Sequence, residues 1–321
     1  MRDLERMLDL CTKGQWAPRD LDWSGSPRAM SAEDEVAVVQ YFTNMAIIEQ
    51  LAGALFREQE RRVSDPTLKA IFHSFVTDEA RHAEVARRLA NYYDVNKYRT
   101  YRPSPSLESF FPHFTDAIVL LRDDVANLYI TVGELVLDVA LLRSIDDYVS
   151  DPMSHQAMEL INRDESRHIA IDYHMFEYYA SEEYQTARAS APKASLRERA
   201  RAARAFAKLI VSAKPFFHDV FFVPMQHMKA EHRLREAFRR FQLLEVKPRV
   251  MDLPFNRFLQ TTTNIYAHPL GRMFLGPLLT RLAGVEPELM ERMNDAAALE
   301  KARGMSFEEL AEDALQAKYS S

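Results

Sequence analysis

The chain has 321 residues and a formal net charge of −6, and its 8 glycines are few beside its many alanine, leucine, glutamate and arginine residues, a balance that favours a mostly helical protein. The net charge gives no support to wholesale binding of nucleic acid. A single cysteine, Cys11, excludes an internal disulfide and a metal cluster held by cysteines alone, and it fits a cytoplasmic protein. No stretch of 18 or more residues is both apolar and free of charge, and the first 16 residues include acids, so we expect neither a membrane-spanning helix nor a signal peptide.

Residues 1–30 combine a short amphipathic segment with turn-rich sequence, and two interpretations stand: a lead-in that wraps the protein core, or a partly disordered tail. Ser31 and the acids after it resemble a capping box, which predicts a first helix over residues 32–61. The apolar stripe of this helix places Glu49 on its buried face. A buried acid is costly unless it is paired or bound to a metal, so Glu49 is a candidate ligand.

A second helix is predicted over residues 66–93, with Asp65 as its N-cap and Pro66 at its first position. Glu79 and His82 lie three residues apart in this helix, a spacing that stacks both side chains on one face. The sequence that follows predicts a loop long enough to cross the end of a helix bundle, because it is interrupted by Pro103, Pro105 and Pro112.

Two further helices are predicted over residues 114–149 and 152–180. The first is strongly apolar, and Glu134 within it is hard to explain as a solvated side chain. The second carries Glu165 and His168, again three residues apart and therefore on one face.

These two pairs of helices are a sequence repeat. The tetrapeptide Val-Ser-Asp-Pro, eleven residues and then DEARH in the first half match Val-Ser-Asp-Pro, eleven residues and DESRH in the second, at an offset of 86 residues. In each half a further glutamate lies upstream of the motif glutamate, by 30 residues in the first half and by 31 in the second. A repeat of this kind indicates two antiparallel helix hairpins related by a pseudo-two-fold axis. Four glutamates and two histidines would then face one another, as in a dinuclear metal site inside a four-helix bundle.

The remaining sequence, residues 181–321, is expected to form a helical extension packed on the bundle of residues 31–180, with residues 1–30 as the lead-in and the whole as one compact domain. It holds a basic helical segment over 195–208, a phenylalanine-rich stretch, and two late helix starts, at Pro287-Glu288 and at Ser306-Phe307-Glu308-Glu309. Metal-ligand spacings are lacking in this extension. It could cover the bundle, shape a substrate pocket, or form the interface of a homodimer.

The chemistry of the six side chains indicates the kind of cation. Four carboxylates carry up to four negative charges, which an apolar bundle tolerates only with compensating cations. Ligation by carboxylate and imidazole suits iron or manganese, and the lack of thiolates disfavours a structural zinc site. Glu79 and Glu165 are placed to bridge or chelate the two ions, while Glu49 and Glu134 would each be a terminal ligand of one ion.

Each ligating histidine also needs a hydrogen-bond acceptor that fixes its tautomer. Asp78 and Asp164, which directly precede the motif glutamates, are the candidates, each reaching the histidine of the opposite helix. Arg81 and Arg167 could balance the charge of these acids. Ordinary surface charge is the alternative for all four residues.

The doubled D-E-x-R-H motif with its upstream glutamates resembles the ferritin-like diiron carboxylate oxygenases over roughly residues 32–180. That group includes bacterial multicomponent monooxygenase hydroxylases, acyl-carrier-protein desaturases, arylamine N-oxygenases and aldehyde-deformylating oxygenases. The resemblance implies an all-α, ferritin-like four-helix bundle with two iron ions, or a Mn/Fe pair. It also implies activation of O2 for attack on an organic molecule, with the metal carrying out the chemistry and the protein controlling ligation and access.

This chain departs from the ligand patterns of several of these families, and the departures narrow the range of functions that we expect. The radical-generating subunit of ribonucleotide reductase usually has a tyrosine one turn after the first histidine, where this chain has Ala86, so we do not expect that function. Arylamine N-oxygenases carry an extra histidine where Ile161 stands, so N-oxygenation is not favoured by the ligands. Hydroxylases place a threonine where Asp138 stands, one turn after Glu134, and Asp172 occupies the equivalent place after His168. Both aspartates are candidate catalytic residues as proton relays, substrate-binding groups or extra ligands; plain hydrogen bonding is the alternative.

We therefore expect an O2-dependent oxygenase or oxidase that acts on a small or medium organic substrate. The alternatives are a ferroxidase or iron-storage protein, which needs a chain of about half this length, and a non-catalytic protein with a structural metal or none. Flavin-binding and iron–sulfur motifs are not visible, so electrons would come from a ferredoxin or reductase, a chemical reductant, or the substrate. The basic helix could dock an acidic donor or be a solvated face.

Overall fold

The structure, a computed structural model, describes residues 3–98, 101–248, 250–283 and 291–320, and every regular element in those ranges is a helix. Short 3-10 and π-helical segments occur at Pro18–Asp20, Val136–Leu142 and His218–Phe222. The α-helices in the described part of the chain are α1 Leu4–Lys13, α2 Ala32–Arg62, α3 Pro66–Tyr93, α4 Pro105–Leu120, α5 Asp123–Leu135, α6 Arg143–Val149, α7 Pro152–Ala180, α8 Glu182–Ser190, α9 Leu196–Phe217, α10 Val223–His227, α11 Glu231–Glu245, α12 Pro254–Ala267, α13 Pro269–Ala283, α14 Ala296–Gly304 and α15 Phe307–Ser320.

Three helices of the bundle begin and end within a residue of their predicted bounds, and their N-caps explain why. The side chain of Ser31 accepts a hydrogen bond from the backbone N–H of Asp34 at the start of α2. Asp65 and Asp151 cap α3 and α7 in the same way, and a proline follows each of them at the first helical position. The antiparallel partners α2 and α3 pack along each other, as do α5 and α7, and these four helices surround the candidate ligands.

Two predictions for the region between α3 and α6 are wrong. One is that the chain forms a loop at Pro105 and Pro112, and the other is that the third bundle helix begins at residue 114. Pro105 begins helix α4, where a missing N–H costs nothing. Helix α4 also contains Pro112 and ends at Leu120, and the next helix begins at Asp123. Arg62 stabilises the break, because its guanidinium donates to the carbonyl oxygens of Ile118, Val119 and Leu121 at 2.8–3.0 Å.

A π-helical segment, Val136–Leu142, joins α5 to α6 without interrupting the rod. It accounts for the one irregularity in the repeat: 16 positions separate Glu49 from Asp65, but 17 separate Glu134 from Asp151. A π-segment absorbs one extra residue within an α-helix. The second hairpin can therefore keep both its inward-facing glutamate and its N-cap in the same places as the first.

The rod Asp123–Val149 is long and apolar enough to cross a membrane by length and composition, with a mean hydropathy of 1.7. In the fold 79% of that apolar window is buried inside the protein. This helix is the third helix of the bundle, and burial among other helices explains its apolar sequence.

Helices near the N-terminus and near the C-terminus of the chain both pack on the bundle. Helix α1 lies against α3 and α7, and α15 lies against α7 and the π-helical segment. The predicted helix start at Ser306 is confirmed, since Glu309 donates its backbone N–H to the Ser306 hydroxyl at 3.1 Å. The basic segment predicted to be helical over 195–208 forms the first part of α9, which begins at Leu196 after a capping box of Ser195 and Glu198 and continues to Phe217. The predicted start at Pro287-Glu288 lies outside the described residues, and the division of the chain at residues 30 and 180 stays a prediction.

Candidate metal centre

The six predicted ligands come together in the middle of the bundle. Each of the four bundle helices contributes at least one of them, and none is more than 4% exposed. Their order along the chain is Glu49 on α2, Glu79 and His82 on α3, Glu134 on α5, and Glu165 and His168 on α7.

The ligand atoms form two groups that share one residue. Glu49, Glu79, His82 and Glu165 each offer an atom within 4.8 Å of the others, and so do Glu134, Glu165 and His168. Each group is small enough to surround a single cation. Glu165 belongs to both groups, as expected for a bridging carboxylate, and its role as a ligand stays a prediction.

Both imidazole rings turn the same nitrogen towards the carboxylates. His82 Nδ1 lies 3.0 Å from Glu165 Oε1, and His168 Nδ1 lies 3.1 Å from both Glu79 Oε1 and Glu165 Oε2. Glu79 therefore approaches the second group as well as the first. The two rings lie 6.1 Å apart, centroid to centroid.

The opposite nitrogens face the predicted aspartates. His82 Nε2 lies 3.2 Å from Asp164 Oδ2, and His168 Nε2 lies 3.5 Å from Asp78 Oδ2. The predicted crossed pairing, in which each aspartate reaches the histidine of the other helix, is confirmed. The His82 contact is a hydrogen bond and the His168 contact is an electrostatic one, and in both rings the other nitrogen is directed at the carboxylate cluster.

Arg81 and Arg167 complete a buried network of four charges. Arg81 lies 3.1 Å from Asp164 and also pairs with Asp78. Arg167 lies 2.7 Å from Asp164 and 3.3 Å from Asp78. The predicted charge balance is therefore confirmed, and the alternative of ordinary surface charge is wrong, because both aspartates are fully buried.

Two residues of the N-terminal lead-in, Gln15 and Trp16, contact this network from its outer side. Trp16 donates its indole N–H to Asp164 Oδ2 at 2.7 Å, and its ring lies 4.9 Å from the guanidinium carbon of Arg81. Arg81 in turn donates to the Trp16 carbonyl and to Gln15 Oε1, at 2.8 and 2.9 Å. The sequence did not predict these contacts. The signal available was weak: Trp16 is one of two tryptophans and lies in a turn-rich segment.

Burial dominates the acid–base properties of the cluster. It raises the pKa of Glu49 to about 7 and the pKa values of Glu79 and Glu134 well above their ordinary range. Burial acts to lower the pKa of His82, but Asp164 and Glu165 raise it to about 10. Glu165 is the exception among the acids, because the imidazoles of His168 and His82 outweigh its burial and hold its pKa well below the usual range.

Most carboxylate oxygens of the cluster lack a hydrogen-bond partner of normal geometry among the described residues, and this fits a dinuclear metal centre. In the described part of the chain, no donor makes a hydrogen bond of normal geometry to either oxygen of Glu49 or of Glu79. The same holds for Glu134 Oε2 and Glu165 Oε1. Buried oxygens without such hydrogen bonds are rare in folded proteins, and bound cations would supply the missing partners here. The donor set, carboxylate and imidazole without thiolate, suits iron or manganese.

Asp138 and Asp172 are buried beside the cluster but belong to neither group of ligand atoms. Burial raises the pKa of Asp172 to about 7, and the Thr131 hydroxyl partly offsets this. Burial raises the pKa of Asp138 to about 6 against the opposing charge of Lys318, with which it forms an ion pair. Their catalytic roles stay predictions.

An apolar cavity of about 60 Å³ reaches the cluster on the side of Glu134. Glu134 is the one charged residue in its lining, and Gly133 lies beside it. The other lining residues are apolar and come from α2, α4, the α5–α6 rod, the end of α9 and the π-helical segment His218–Phe222 that follows it: Ile48, Leu51, Ala52, Leu55, Phe110, Phe114, Leu137, Phe216, Phe217 and Phe221. A larger cavity of about 440 Å³ at one end of the bundle has none of the six candidate ligands in its lining.

Comparison with known proteins supports the fold. No protein-family model and no curated protein matches the sequence. Among solved structures, the dimanganese(II) form of NrdF from Streptococcus sanguinis superposes with a TM-score of 0.54 at 13% identity, over 76% of this chain and 89% of that one. An R2-like ligand-binding oxidase with a Mn/Fe cofactor is similar with a TM-score of 0.44 at 10% identity, over 97% of this chain and 92% of that one. The superposition on NrdF, together with the helices described above, gives the chain a ferritin-like, all-α fold, whose bundle holds a buried carboxylate and histidine cluster that fits two metal ions.

Proposed function

We propose that the protein is an O2-activating non-haem diiron oxygenase or oxidase that acts on a small or medium organic substrate. The observation that carries this proposal is the set of six buried carboxylate and imidazole side chains, arranged in two groups that share Glu165, in which most of the carboxylate oxygens accept no hydrogen bond of normal geometry from the described part of the chain. The ions would be two iron ions. The two manganese ions of NrdF, which has a similar fold, support manganese as an alternative at either site.

The residues around the cluster would prepare it for this chemistry. When bound, the metal pair supplies activation of O2. Asp164 and Asp78 hold the two imidazoles in orientation, and the two arginines neutralise these aspartates so that the charge of the cluster itself is left to the cations. Asp172, buried beside the cluster, would hold or pass a proton.

The apolar cavity favours an organic substrate over iron handling. Entering Fe(II) would need a polar path, whereas this cavity presents aliphatic and phenyl groups up to Glu134. Its lining would accept an alkyl or aryl part of a substrate and place it against the Glu134 side of the centre. The reaction would be a hydroxylation, an N-oxygenation, a desaturation or an oxidative cleavage.

Electrons would come from a ferredoxin or reductase, and helix α9 supports this. The part of α9 from Leu196 to Lys208 exposes five basic side chains, a surface suited to an acidic partner: Arg197, Arg199, Arg201, Arg204 and Lys208. A cytoplasmic location and a homodimer belong to the same proposal.

Oxygen consumption tests the function. We expect protein loaded anaerobically with two Fe(II) per chain to consume O2 faster when an alkyl or aryl substrate is present, with a product that contains oxygen or a new double bond. The variants Glu79→Ala and Glu165→Ala, which lose ligands, should show background uptake. Uptake that continues in proportion to added Fe(II), far beyond two ions per chain and without effect of any substrate, would identify a ferroxidase instead.

A further inference from the structure

The C-terminal helix places a lysine inside the bundle. Lys318 on α15 is 1% exposed, and its ammonium group pairs with Asp138, which is fully buried on the π-helical segment. The same Nζ donates to the carbonyl oxygen of Asn162 at 2.7 Å and lies 3.4 Å from Ser166 Oγ, both on α7. Ser166 is the neighbour of the shared ligand Glu165. Lys318 therefore joins α7, which carries Glu165 and His168, to the π-helical segment that directly continues α5 and its Glu134.

A lysine in this position is not needed for packing alone. Burial of an ammonium group is strongly unfavourable unless a carboxylate and further acceptors compensate it. Arg143 holds the helix in place by donating to the Lys318 carbonyl oxygen at 2.6 Å. Lys318 also continues the buried stripe of α15, whose other members are small or apolar: Leu310, Ala311, Ala314 and Ala317.

Asp138 is an acid that the first half of the repeat lacks. It follows Glu134 by four residues, and the equivalent position after Glu49 is Gly53. Residues four apart share one face of the helix, so the carboxylate of Asp138 lies on the side of the cluster. Its Oδ2 receives no hydrogen bond of normal geometry from the described residues. A free carboxylate in this place would be a further ligand for the metal next to Glu134.

We propose that Lys318 is a positioning residue of the metal centre, which holds Asp138 in an ion pair and so keeps this carboxylate from binding the metal beside Glu134. The inference rests on the metal centre of the proposed function. It makes the second metal site open on the side of the apolar cavity, since Glu134 lines that cavity and Asp138 is held by the C-terminal helix. The fold thereby keeps a coordination position of the metal beside Glu134 free, although Asp138 is still present.

Cobalt(II) titration of the full chain tests this proposal, because Co(II) reports its ligands by visible absorption and needs no O2 chemistry. We expect Lys318→Met to tighten Co(II) binding about 10-fold and to change the absorption spectrum, since Asp138 is then free to bind. The double variant Lys318→Met/Asp138→Asn should return both affinity and spectrum to those of the wild type. Lys318→Arg, which keeps the charge, should resemble the wild type.

A purely structural lysine would give a different pattern. Lys318→Met would then keep the wild-type spectrum or bind Co(II) more weakly, and the proposal would be wrong. The matched control is Lys247→Met, because Lys247 is also buried and donates to the Arg303 carbonyl oxygen away from the cluster. This control should lose stability without a change of spectrum.

Asp138→Asn tests the same point in a variant that keeps Lys318 and the side-chain volume. Its cobalt spectrum should equal that of the wild type; a changed spectrum would show that Asp138 is already a ligand and would overturn the proposal. Absence of Co(II) binding by the wild type would overturn the metal centre and this proposal together. Normal cobalt results without any substrate-dependent O2 uptake would overturn the proposed function alone.

Discussion

Glu165 lies between the two histidines, with one oxygen 3.0 Å from His82 Nδ1 and the other 3.1 Å from His168 Nδ1. Its two oxygens therefore serve both groups of candidate ligands, whereas Glu49 belongs to the first group and Glu134 to the second. This difference between chemically identical side chains follows from position alone. It gives the metal centre a test at the scale of single residues.

Glu165→Gln should lower the bound metal from about two ions per chain to less than one, because an amide is a poor ligand and both sites lose a carboxylate. Glu49→Gln should leave about one ion per chain, since the second group is intact. Elemental analysis of Fe(II)-loaded, desalted protein measures both.

Glu159→Gln, on the exposed face of the same helix α7, is the matched control and should keep two ions. Equal metal loss in the Glu165 and Glu49 variants would contradict the sharing of Glu165 between the sites. The histidine variants extend the test: His82→Ala and His168→Ala should each empty one site more than the other.

At the scale of helices, the spacing of the motif residues and the N-cap residues predict most of the helix positions. The motif spacing of three and the N-caps Asp65 and Asp151 were sufficient to place α3 and α7 and the side chains they direct inwards. The extra residue after Glu134 was also visible in the sequence, and the π-helical segment is its physical consequence. Helix α4 does not follow from the sequence pattern because proline usually interrupts a helix, although Pro105 stands at the first position, where a helix accepts it.

Contacts made by the ends of the chain could not be predicted in this way. Trp16 meets Asp164 across 148 positions of sequence, and Lys318 meets Asn162 across 156. Neither residue belongs to the repeat, so no spacing relates it to the ligands. The buried stripe of α15 does pass through Lys318, and a lysine on such a stripe is a signal for a buried partner.

Two glycines on the bundle helices offer a matched pair of substitutions. A Cβ added at Gly133 would meet nothing within 4 Å, whereas one added at Gly53 would lie 3.2 Å from Glu79 Cβ. Gly133→Ala should stabilise the protein by about 0.5–1 kcal/mol, as expected for glycine in a helix, without loss of metal. It should also slow turnover of apolar substrates, because Gly133 lines the cavity beside Glu134.

Gly53→Ala should instead displace Glu79 and lower the metal content, despite the same gain in helix propensity. Urea unfolding together with metal analysis separates the two effects. Full metal content in Gly53→Ala would show that the close approach of α2 to Glu79 is not required by the centre. Loss of metal in Gly133→Ala would show that the cavity side is less open than the structure indicates.

At the scale of the whole molecule, the ligands tie together four helices that are far apart in sequence. Bound cations should therefore stabilise the entire bundle, since they bind the folded chain and not the unfolded one. In the metal-free chain, protonated histidines can balance part of the negative charge of the cluster. Burial disfavours charge on His82 and His168, but their acidic partners raise the two pKa values to about 10 and about 9. Imidazolium groups then face Glu165. The fold should survive without metal at reduced stability.

Removal of the metal should lower the melting temperature by about 5–15 °C, given free metal at 100–1,000 times its dissociation constant and the usual relation between stability and melting temperature. Calorimetry of the loaded protein, of the protein after dialysis against a chelator, and of reloaded protein measures the effect. Glu165→Gln, which is expected to bind less than one ion, should show little change on chelation. Because both histidines can carry a proton in place of a cation, the metal-free protein should keep its helical circular dichroism. An unchanged melting temperature after verified loss of the metal would mean that these six side chains do not hold the bundle together through cations.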